Sequence, residues 1–184
     1  MKRLLDVMIA LVALLLLAPV WLLAALAIAF ESGGPVLFQQ TRLGLRGREF
    51  NMLKFRSMHL NASATGPYFT AANDTRITRV GRFIRRTSID ELPQLVNVLR
   101  GDMSLVGPRP DVPAQRSLYS DADWAQRCSV RPGITGLAQA LLRSEATEAQ
   151  RLALDLRYTR EASIRFDLKI LGLTIVRLSG KGSN

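Results

Sequence analysis

The chain has 184 residues, 48% hydrophobic and 22% charged, and its 25 lysines and arginines against 15 acids give a net charge of +10. This length suits one domain, and the composition excludes a disordered tail, a collagen or a coiled coil. One cysteine and one histidine exclude a disulfide framework and an ordinary zinc site within the chain. Because 21 of the basic residues are arginines, phosphate-bearing partners are favoured: nucleic acid, nucleotides or anionic lipid.

The chain starts with a long apolar segment. Residues 7–30 carry no charge and are long enough to span a bilayer, which takes about 20 residues. Lys2 and Arg3 precede the segment and further arginines follow it, so both flanks favour the cytoplasmic side. Pro19 lies at the midpoint and bends a helix there. We therefore expect a re-entrant helix hairpin; a cleaved signal peptide and a straight transmembrane helix are the two alternatives.

The following segments predict a small β-hairpin and then a loop. Residues 36–38 and 50–55 are short apolar runs on either side of a glycine-rich turn at 43–47, which is typical of two paired strands. Residues 61–75 have no apolar period and are rich in small and polar types. We interpret them as a surface loop that acts as a lid.

Basic residues are concentrated after this loop. Arg76, Arg79, Arg82 and Arg85 recur every three residues, which places them along one face of a predicted helix. Beside a membrane anchor such a ridge would bind anionic headgroups, and a merely solvated basic face is the alternative.

The second half of the sequence predicts helices separated by rigid turns. A short helix at 92–99 ends near Gly101, and residues 102–113 read as a loop because they are rich in proline and glycine. A second turn, two amphipathic or apolar helices and a frayed tail follow at 131–136, 144–160, 166–178 and 180–184.

Together these elements predict a mainly α protein of the α+β class with one small β-hairpin. No repeat or long linker divides the chain. Residues 1–32 are expected to form the re-entrant membrane helix, and residues 33–184 a domain at the interface or in the cytosol that forms one structural unit with it.

Two adjacent acids, Asp90 and Glu91, stand at a predicted helix start. Ser88 precedes Glu91 by three residues, which satisfies a capping box, and acids at a helix N-terminus are stabilised by its dipole. A capping role is therefore one interpretation. The other is chemical, because Arg85 and Arg109 occupy nearby segments, and an acidic pair among arginines can hold Mg²⁺ and attack a phosphoryl centre. The spacing leaves both interpretations open.

Four ordered blocks resemble the bacterial sugar transferases, in particular the small catalytic-core form of the monotopic phosphoglycosyl transferases. They are KFRSM at 54–58, SIDELPQL at 88–95, NVLRGDMSLVGPRP at 97–110 and VRPGITG at 130–136. The resemblance implies an enzyme that moves a sugar 1-phosphate from a UDP-sugar to polyprenol phosphate and releases UMP. It also implies a location at the cytoplasmic face of the bacterial inner membrane and a role in starting the synthesis of a glycoconjugate or polysaccharide.

The resemblance assigns roles to individual residues. The family's acidic pair falls on Asp90 and Glu91, with Asp90 as the nucleophile that forms a covalent phosphosugar intermediate and both carboxylates near Mg²⁺. The substrate-binding positions that it implies are Lys54, Arg56, Arg85, Arg109, Arg131, Thr135 and Gly136. For the last three, a turn that only shapes the site is the alternative.

The resemblance also covers the membrane segment. In the family the re-entrant helix is broken at a proline-containing pair, commonly Ser-Pro, and here the pair is Ala18 and Pro19. The missing serine hydroxyl would have bonded a carbonyl freed at the kink, so its loss leaves the depth of the break open. Lys2 and Arg3 match a basic start that meets lipid headgroups.

A second hypothesis comes from a different class. A membrane-tethered basic module that binds nucleic acid or anionic lipid without catalysis fits the charge of +10. The paired carboxylates argue against it, because they repel phosphate unless a metal stands between them. On the transferase hypothesis the partners are a UDP-sugar, polyprenol phosphate such as undecaprenyl phosphate, and membrane lipids, with no nucleic acid. The sugar, the pathway and a homodimeric state stay open.

Overall fold

The computed structural model describes residues 1–60, 62, 74–142 and 147–178. Its helices and strands, in chain order, are α1 (Lys2–Leu16), α2 (Ala18–Ser32), β1 (Leu37–Leu43), β2 (Glu49–Phe55), α3 (Arg79–Arg86), α4 (Gln94–Arg100), β3 (Ser104–Val106), α5 (Asp121–Arg127), β4 (Gly133–Thr135), α6 (Leu137–Leu141), α7 (Glu148–Glu161) and α8 (Ile164–Leu178). The mainly helical class with a small β-hairpin is confirmed. Most of the predicted lid, the start of the helix predicted at 144–160 and the predicted tail lie outside the described residues.

Helices α1 and α2 form a bent pair. The break falls at Leu17, and the two axes differ by 62°. Pro19 lies in the first turn of α2, where the N–H that proline lacks has no helical partner in any case. Among the described residues no single helix is both long and apolar enough to cross a membrane. Only the bent pair as a whole is long and apolar enough. Buried core helices and signal sequences can have the same length and composition.

The predicted β-hairpin is present, with a longer first strand than expected. β1 and β2 pair antiparallel, with Leu37 opposite Phe55 and Leu43 opposite Glu49. A short 3₁₀ turn at Leu45–Gly47 joins them. This hairpin brings the residues of its two strands beside the chain that follows α3.

A buried asparagine fixes the hairpin to α4. Asn97 accepts a hydrogen bond from the Leu53 amide at 2.9 Å and donates to the Asn51 carbonyl at 2.9 Å and to Asp102 Oδ2 at 3.0 Å. The side chain has no exposed surface. Because these bonds satisfy backbone groups at the edge of β2, they set the position of β2 relative to α4.

The loop predicted at 102–113 and the turn predicted at 131–136 contain a short parallel pair of strands, so these two predictions were incomplete. β3 and β4 pair Ser104 with Gly133 and Val106 with Thr135. Glycine is required for this approach, because a Cβ on Gly133 would lie 2.1 Å from the Gly107 amide nitrogen. Three-residue strands are too short for a periodic pattern to reveal.

The core joins both ends of the chain. Most of its buried apolar residues come from α1, β2, α4, β3, α6, α7 and α8, and they include Ala10, Met52, Val98, Tyr158 and Ile170. A second cluster lies between α2, β2 and α3 and includes Ile28, Phe55 and Ile84. The bent N-terminal pair is therefore packed into the same structural unit as the rest.

Candidate active site

The acidic pair lies in a 3₁₀ turn, Ile89–Glu91, between α3 and α4. Ser88 has a left-handed backbone (φ 58°) and makes no side-chain capping bond. The capping-box interpretation is therefore wrong: the Glu91 carboxylate faces cations instead of the Ser88 amide. The residues of this turn hold two carboxylates at the junction of the hairpin and two helices.

Glu91 is held between two cations. Its Oε1 lies 3.0 Å from Lys54 Nζ on β2 and 3.0 Å from Arg109 Nη2, in the segment after β3. Burial alone would raise the pKa of Glu91, but Arg109 and Lys54 outweigh it and lower this pKa to about 2. The Glu91 carboxylate is thus ionised across the physiological range and orients both cations.

Asp90 is buried, with 9% of its surface exposed. Burial raises the pKa of its carboxyl group, while Lys54, Arg85 and Arg109 act in the opposite direction. Within the described part of the chain, this carboxylate accepts no hydrogen bond. Its lone pairs are free to bind a cation or to attack an electrophile.

Two further cations lie near the acidic pair: Lys54 on β2 and Arg85 on α3. Burial lowers the pKa of Lys54, and the Glu91 carboxylate opposes this effect. Arg85 lies in the last turn of α3, close enough for its charge to lower the pKa of Asp90. The structure therefore brings together the predicted residues Lys54, Arg85, Asp90, Glu91 and Arg109.

A buried arginine, Arg127, holds the backbone of Arg109 in place. Arg127 Nη2 donates to the Arg109 carbonyl at 2.6 Å, while its Nε lies 3.0 Å from Asp155 Oδ2 and its Nη1 pairs with Asp111. Charge-assisted bonds of this kind fix the backbone of the Arg109 turn. The sequence carries no signal for Arg127, since its partners are distant along the chain.

Arg42 is a second cation that the sequence analysis missed. Its Nη1 donates to the Pro110 carbonyl at 2.9 Å, which places it beside the Arg109 turn. Burial and the Arg109 charge lower the pKa of Arg42 to about 10. The two guanidinium groups have the same charge and repel each other, so an anion between or beside them would be favoured.

Other predicted binding residues make structural contacts. Arg56 Nη2 donates to Ser32 Oγ at 2.8 Å and to the Gly33 carbonyl, at the end of α2. Arg131 Nε donates to the Gly101 carbonyl at 2.8 Å, and Thr135 Oγ1 lies 2.8 Å from Thr174 Oγ1.

Gly136 is packed closely against the backbone, because a Cβ there would lie 2.2 Å from the Gly107 carbonyl oxygen. Substrate binding by Arg56, Arg131, Thr135 and Gly136 stays a prediction.

The basic N-terminus contacts the protein itself. Lys2 Nζ donates to the Val106 carbonyl at 3.3 Å and pairs with Asp167, whose other oxygen accepts from the Tyr158 hydroxyl at 2.7 Å. Arg3 Nη2 donates to the Leu99 carbonyl at 3.1 Å. Contact of either residue with lipid headgroups stays a prediction, as does a membrane role for the break at Ala18 and Pro19.

Comparison with known proteins decides the family. The bacterial sugar transferase family matches residues 1–181. The chain belongs to this family. The resemblance carried by the four sequence blocks is thereby confirmed.

Three relatives illustrate the range of the match. The UDP-glucose:undecaprenyl-phosphate glucose-1-phosphate transferase of Caulobacter vibrioides is 50% identical over 96% of this chain and 69% of its own length. Its Escherichia coli counterpart is 43% identical over 96% of this chain and 40% of its own length. The exopolysaccharide production protein PSS of Rhizobium leguminosarum is 45% identical over 99% of this chain and 98% of its own length. The chain thus spans less than half of one relative and nearly all of another.

Proposed function

We propose that this sugar transferase moves a sugar 1-phosphate from a UDP-sugar to undecaprenyl phosphate and releases UMP, which starts the synthesis of a polysaccharide or glycoconjugate. The observation that carries the proposal is the Asp90 carboxylate, buried and without a hydrogen-bond donor among the described residues, next to Glu91 with its two cations. The names of the relatives support the two substrate classes.

The proposed reaction is a double displacement at phosphorus. An Asp90 carboxylate oxygen attacks the phosphorus that bears the sugar, the bond from that phosphorus to the UMP oxygen breaks, and UMP leaves with the electron pair. A phosphate oxygen of undecaprenyl phosphate then attacks the same phosphorus, and the Asp90 carboxylate leaves. Each step exchanges one P–O bond for another, so no oxidant or further reactant is needed.

The cations of the site suit this chemistry. A carboxylate is a weak nucleophile towards an anionic phosphate diester, so nearby positive charge must offset the charge of the phosphoryl oxygens. Lys54 and Arg109 are fixed by their shared Glu91 oxygen, and Arg85 is close enough for its charge to lower the pKa of Asp90. Cations that are held in place before the substrate arrives need little reorganisation during the reaction.

Asp90 and Glu91 also fit a Mg²⁺ ion. The described residues hold no group of three or more metal-binding side chains. Mg²⁺ is commonly bound by one or two carboxylates together with substrate phosphates, and the open Asp90 carboxylate with its neighbour matches that donor set. When bound, Mg²⁺ would offset charge on the diphosphate of the donor.

We place the bent α1–α2 pair in the cytoplasmic leaflet as a re-entrant hairpin. α1 exposes large apolar side chains, and Leu4, Leu15 and Leu16 each have more than 60% of their surface exposed. A row of this kind is costly in water and stable in lipid. The arrangement keeps the acidic pair on the side where nucleotide sugars are made.

The test is nucleotide release by the detergent-solubilised chain with undecaprenyl phosphate, Mg²⁺ and a panel of UDP-sugars that starts with UDP-glucose. We expect UMP, not UDP, from at least one sugar, and loss of release in Asp90→Asn. Asp121→Asn is the matched control, because that carboxylate is exposed on α5. Full activity of Asp90→Asn would overturn the nucleophile. Salt-dependent DNA binding without any turnover would favour the basic-module hypothesis instead.

A further inference from the structure

A cavity of about 440 Å³ lies directly beyond Arg109, away from the acidic pair. This open cavity is lined by residues of the Arg109 turn, α5, α6, α7 and α8, and by Arg42. This volume is within the usual range for small-molecule sites. Arg109 therefore touches Glu91 on one side and lines this cavity on the other.

Three residues that line the cavity carry buried polar atoms with no hydrogen-bond partner among the described residues. These atoms are the Nε2 and Oε1 of Gln139, Oδ1 of Asp155 and Nε of Arg42, and each has almost no accessible surface within the described part of the chain. Asp155 itself is 95% buried, since only 5% of its surface is exposed. Buried polar atoms are normally paired in folded proteins, so these four atoms would gain partners if small side-chain rotations turned them towards a polar occupant of the cavity.

We propose that this cavity binds the nucleoside part of the UDP-sugar, with Gln139 as the residue that recognises the uracil base. The inference rests on the proposed function, and it extends the donor site from the acidic pair through Arg109 into the cavity. The diphosphate would then lie at Arg109 and Arg42, whose like charges an anion would offset.

The free atoms match the groups of a uridine phosphate. A uracil edge offers a carbonyl acceptor next to an N–H donor, and the Gln139 amide offers the complementary N–H and carbonyl. A ribose hydroxyl can donate to Asp155 Oδ1, and a phosphate oxygen can accept from Arg42 Nε. After such rotations each of these atoms would have a partner of the correct polarity.

The local backbone supports this role for Gln139. Arg177 donates from Nη1 to the Gln139 and Leu142 carbonyls and so anchors the end of α6 to α8. The Gln139 side chain lies against Gly136, where a Cβ would be 2.7 Å from its Oε1. The amide reaches a base in the cavity when the side chain turns about its own bonds. Gly136, a predicted substrate-binding position, leaves space for the Gln139 side chain. Its role at the donor site would therefore be indirect.

The test compares two probes on the full chain in detergent: UMP and ribose 5-phosphate, which lacks the base. In the wild type UMP should bind more tightly. Gln139→Met should weaken UMP binding by about 10-fold and leave ribose 5-phosphate binding unchanged, because only the two base contacts are lost. Gln115→Met is the matched control: it lines the same cavity, but its amide oxygen already accepts from the Val112 amide at 3.1 Å.

The outcomes separate this inference from the proposed function. If the wild type turns over a UDP-sugar but Gln139→Met changes both probes or neither, the inference fails and the function stands. If the wild type neither binds UMP nor turns over any UDP-sugar, the proposed function fails. Irradiation of the wild type with 4-thio-UMP is independent of any variant: cross-links within α6 or α7 support the inference, and cross-links only elsewhere overturn it.

Discussion

At the scale of the residue, the site depends on charges that the fold brings together from separate segments. Lys54, Asp90, Glu91 and Arg109 were predicted because each lies in a block that resembles the family. Arg42 and Arg127 were not, since nothing in their neighbouring sequence distinguishes them from the other arginines. Their roles come from contacts with Pro110, Arg109 and Asp155, which only the folded chain shows.

Lys54 should matter for turnover far more than an exposed lysine. Lys54→Met removes a fixed cation from the phosphoryl site, and we expect kcat/KM to fall by about 10²-fold or more, as when one preorganised donor is removed from an active site. Lys169→Met on α8 is the control, since that side chain is exposed. Equal activities of the two variants in the UMP-release assay would show that Lys54 does not act on the reacting phosphate.

Asp155 should make stability depend on pH. Burial raises its pKa to about 6, although Arg127 opposes the shift. Because this pKa is raised in the folded state, folding favours the protonated carboxyl group. Its contribution to the free energy of unfolding is therefore complete below about pH 4. As the pH rises to about 6, up to about 3 kcal/mol of that contribution is lost. The measurement is Tm of the wild type and of Asp155→Asn across this range. The wild type should lose Tm relative to the variant as pH rises; a gain would mean that the Arg127 ion pair outweighs burial.

At the scale of the element, local pattern predicted the hairpin, α4, α7 and α8, because these have turn signals or helical periodicity over several residues. The pairing of β3 with β4 was missed, since it joins two three-residue strands through glycines. The sequence there predicts two loops, and only the structure shows that Gly107 and Gly133 bring them together. The capping box at Ser88 was also wrong, because tertiary ion pairs to Glu91 override a local motif.

The glycine contact between β3 and β4 gives a sharp test. Gly133→Ala would place its Cβ 2.1 Å from the Gly107 nitrogen, where backbone cannot give way, so we expect a loss of several kcal/mol or failure to fold. Gly172→Ala is the matched control, because a Cβ there meets nothing within 4 Å. In helix α8 it should stabilise the fold by about 0.5–1 kcal/mol. Thermal unfolding of both variants checks this, and similar Tm values would contradict the close strand approach.

At the scale of the whole molecule, the N-terminal pair is a part of the folded unit. Ala10 has no exposed surface and Ile28 has 2%, and Asp6 accepts from Ser104 Oγ at 2.8 Å inside the protein. The sequence predicted an apolar N-terminal helix pair but not its burial against β3 and α4. Apolar residues that face lipid and those that face a core have the same composition, so hydropathy does not separate them.

Removal of residues 1–32 should therefore unfold the remainder instead of releasing a soluble domain. The truncated chain loses Ala10 and Ile28 from the two apolar clusters. It also loses Asp6, which accepts from Ser104 Oγ, and Ser32, which accepts from Arg56. Hydrogen exchange on chains 1–184 and 33–184 in the same detergent is the measurement. We expect protection of β2 and α4 only in the longer chain. Equal protection would mean that the N-terminal pair is a detachable anchor.

The central claim is that Asp90 carries the phosphosugar during the reaction, and intact-protein mass tests it most directly. The chain is incubated with Mg²⁺ and the UDP-sugar that supports UMP release, without undecaprenyl phosphate, and quenched quickly in acid. We predict a mass increase equal to one sugar phosphate in the wild type and none in Asp90→Asn, with chase by undecaprenyl phosphate removing it. An adduct of the same size on Asp90→Asn, or no adduct on a wild-type chain that is active with both substrates, would contradict the account.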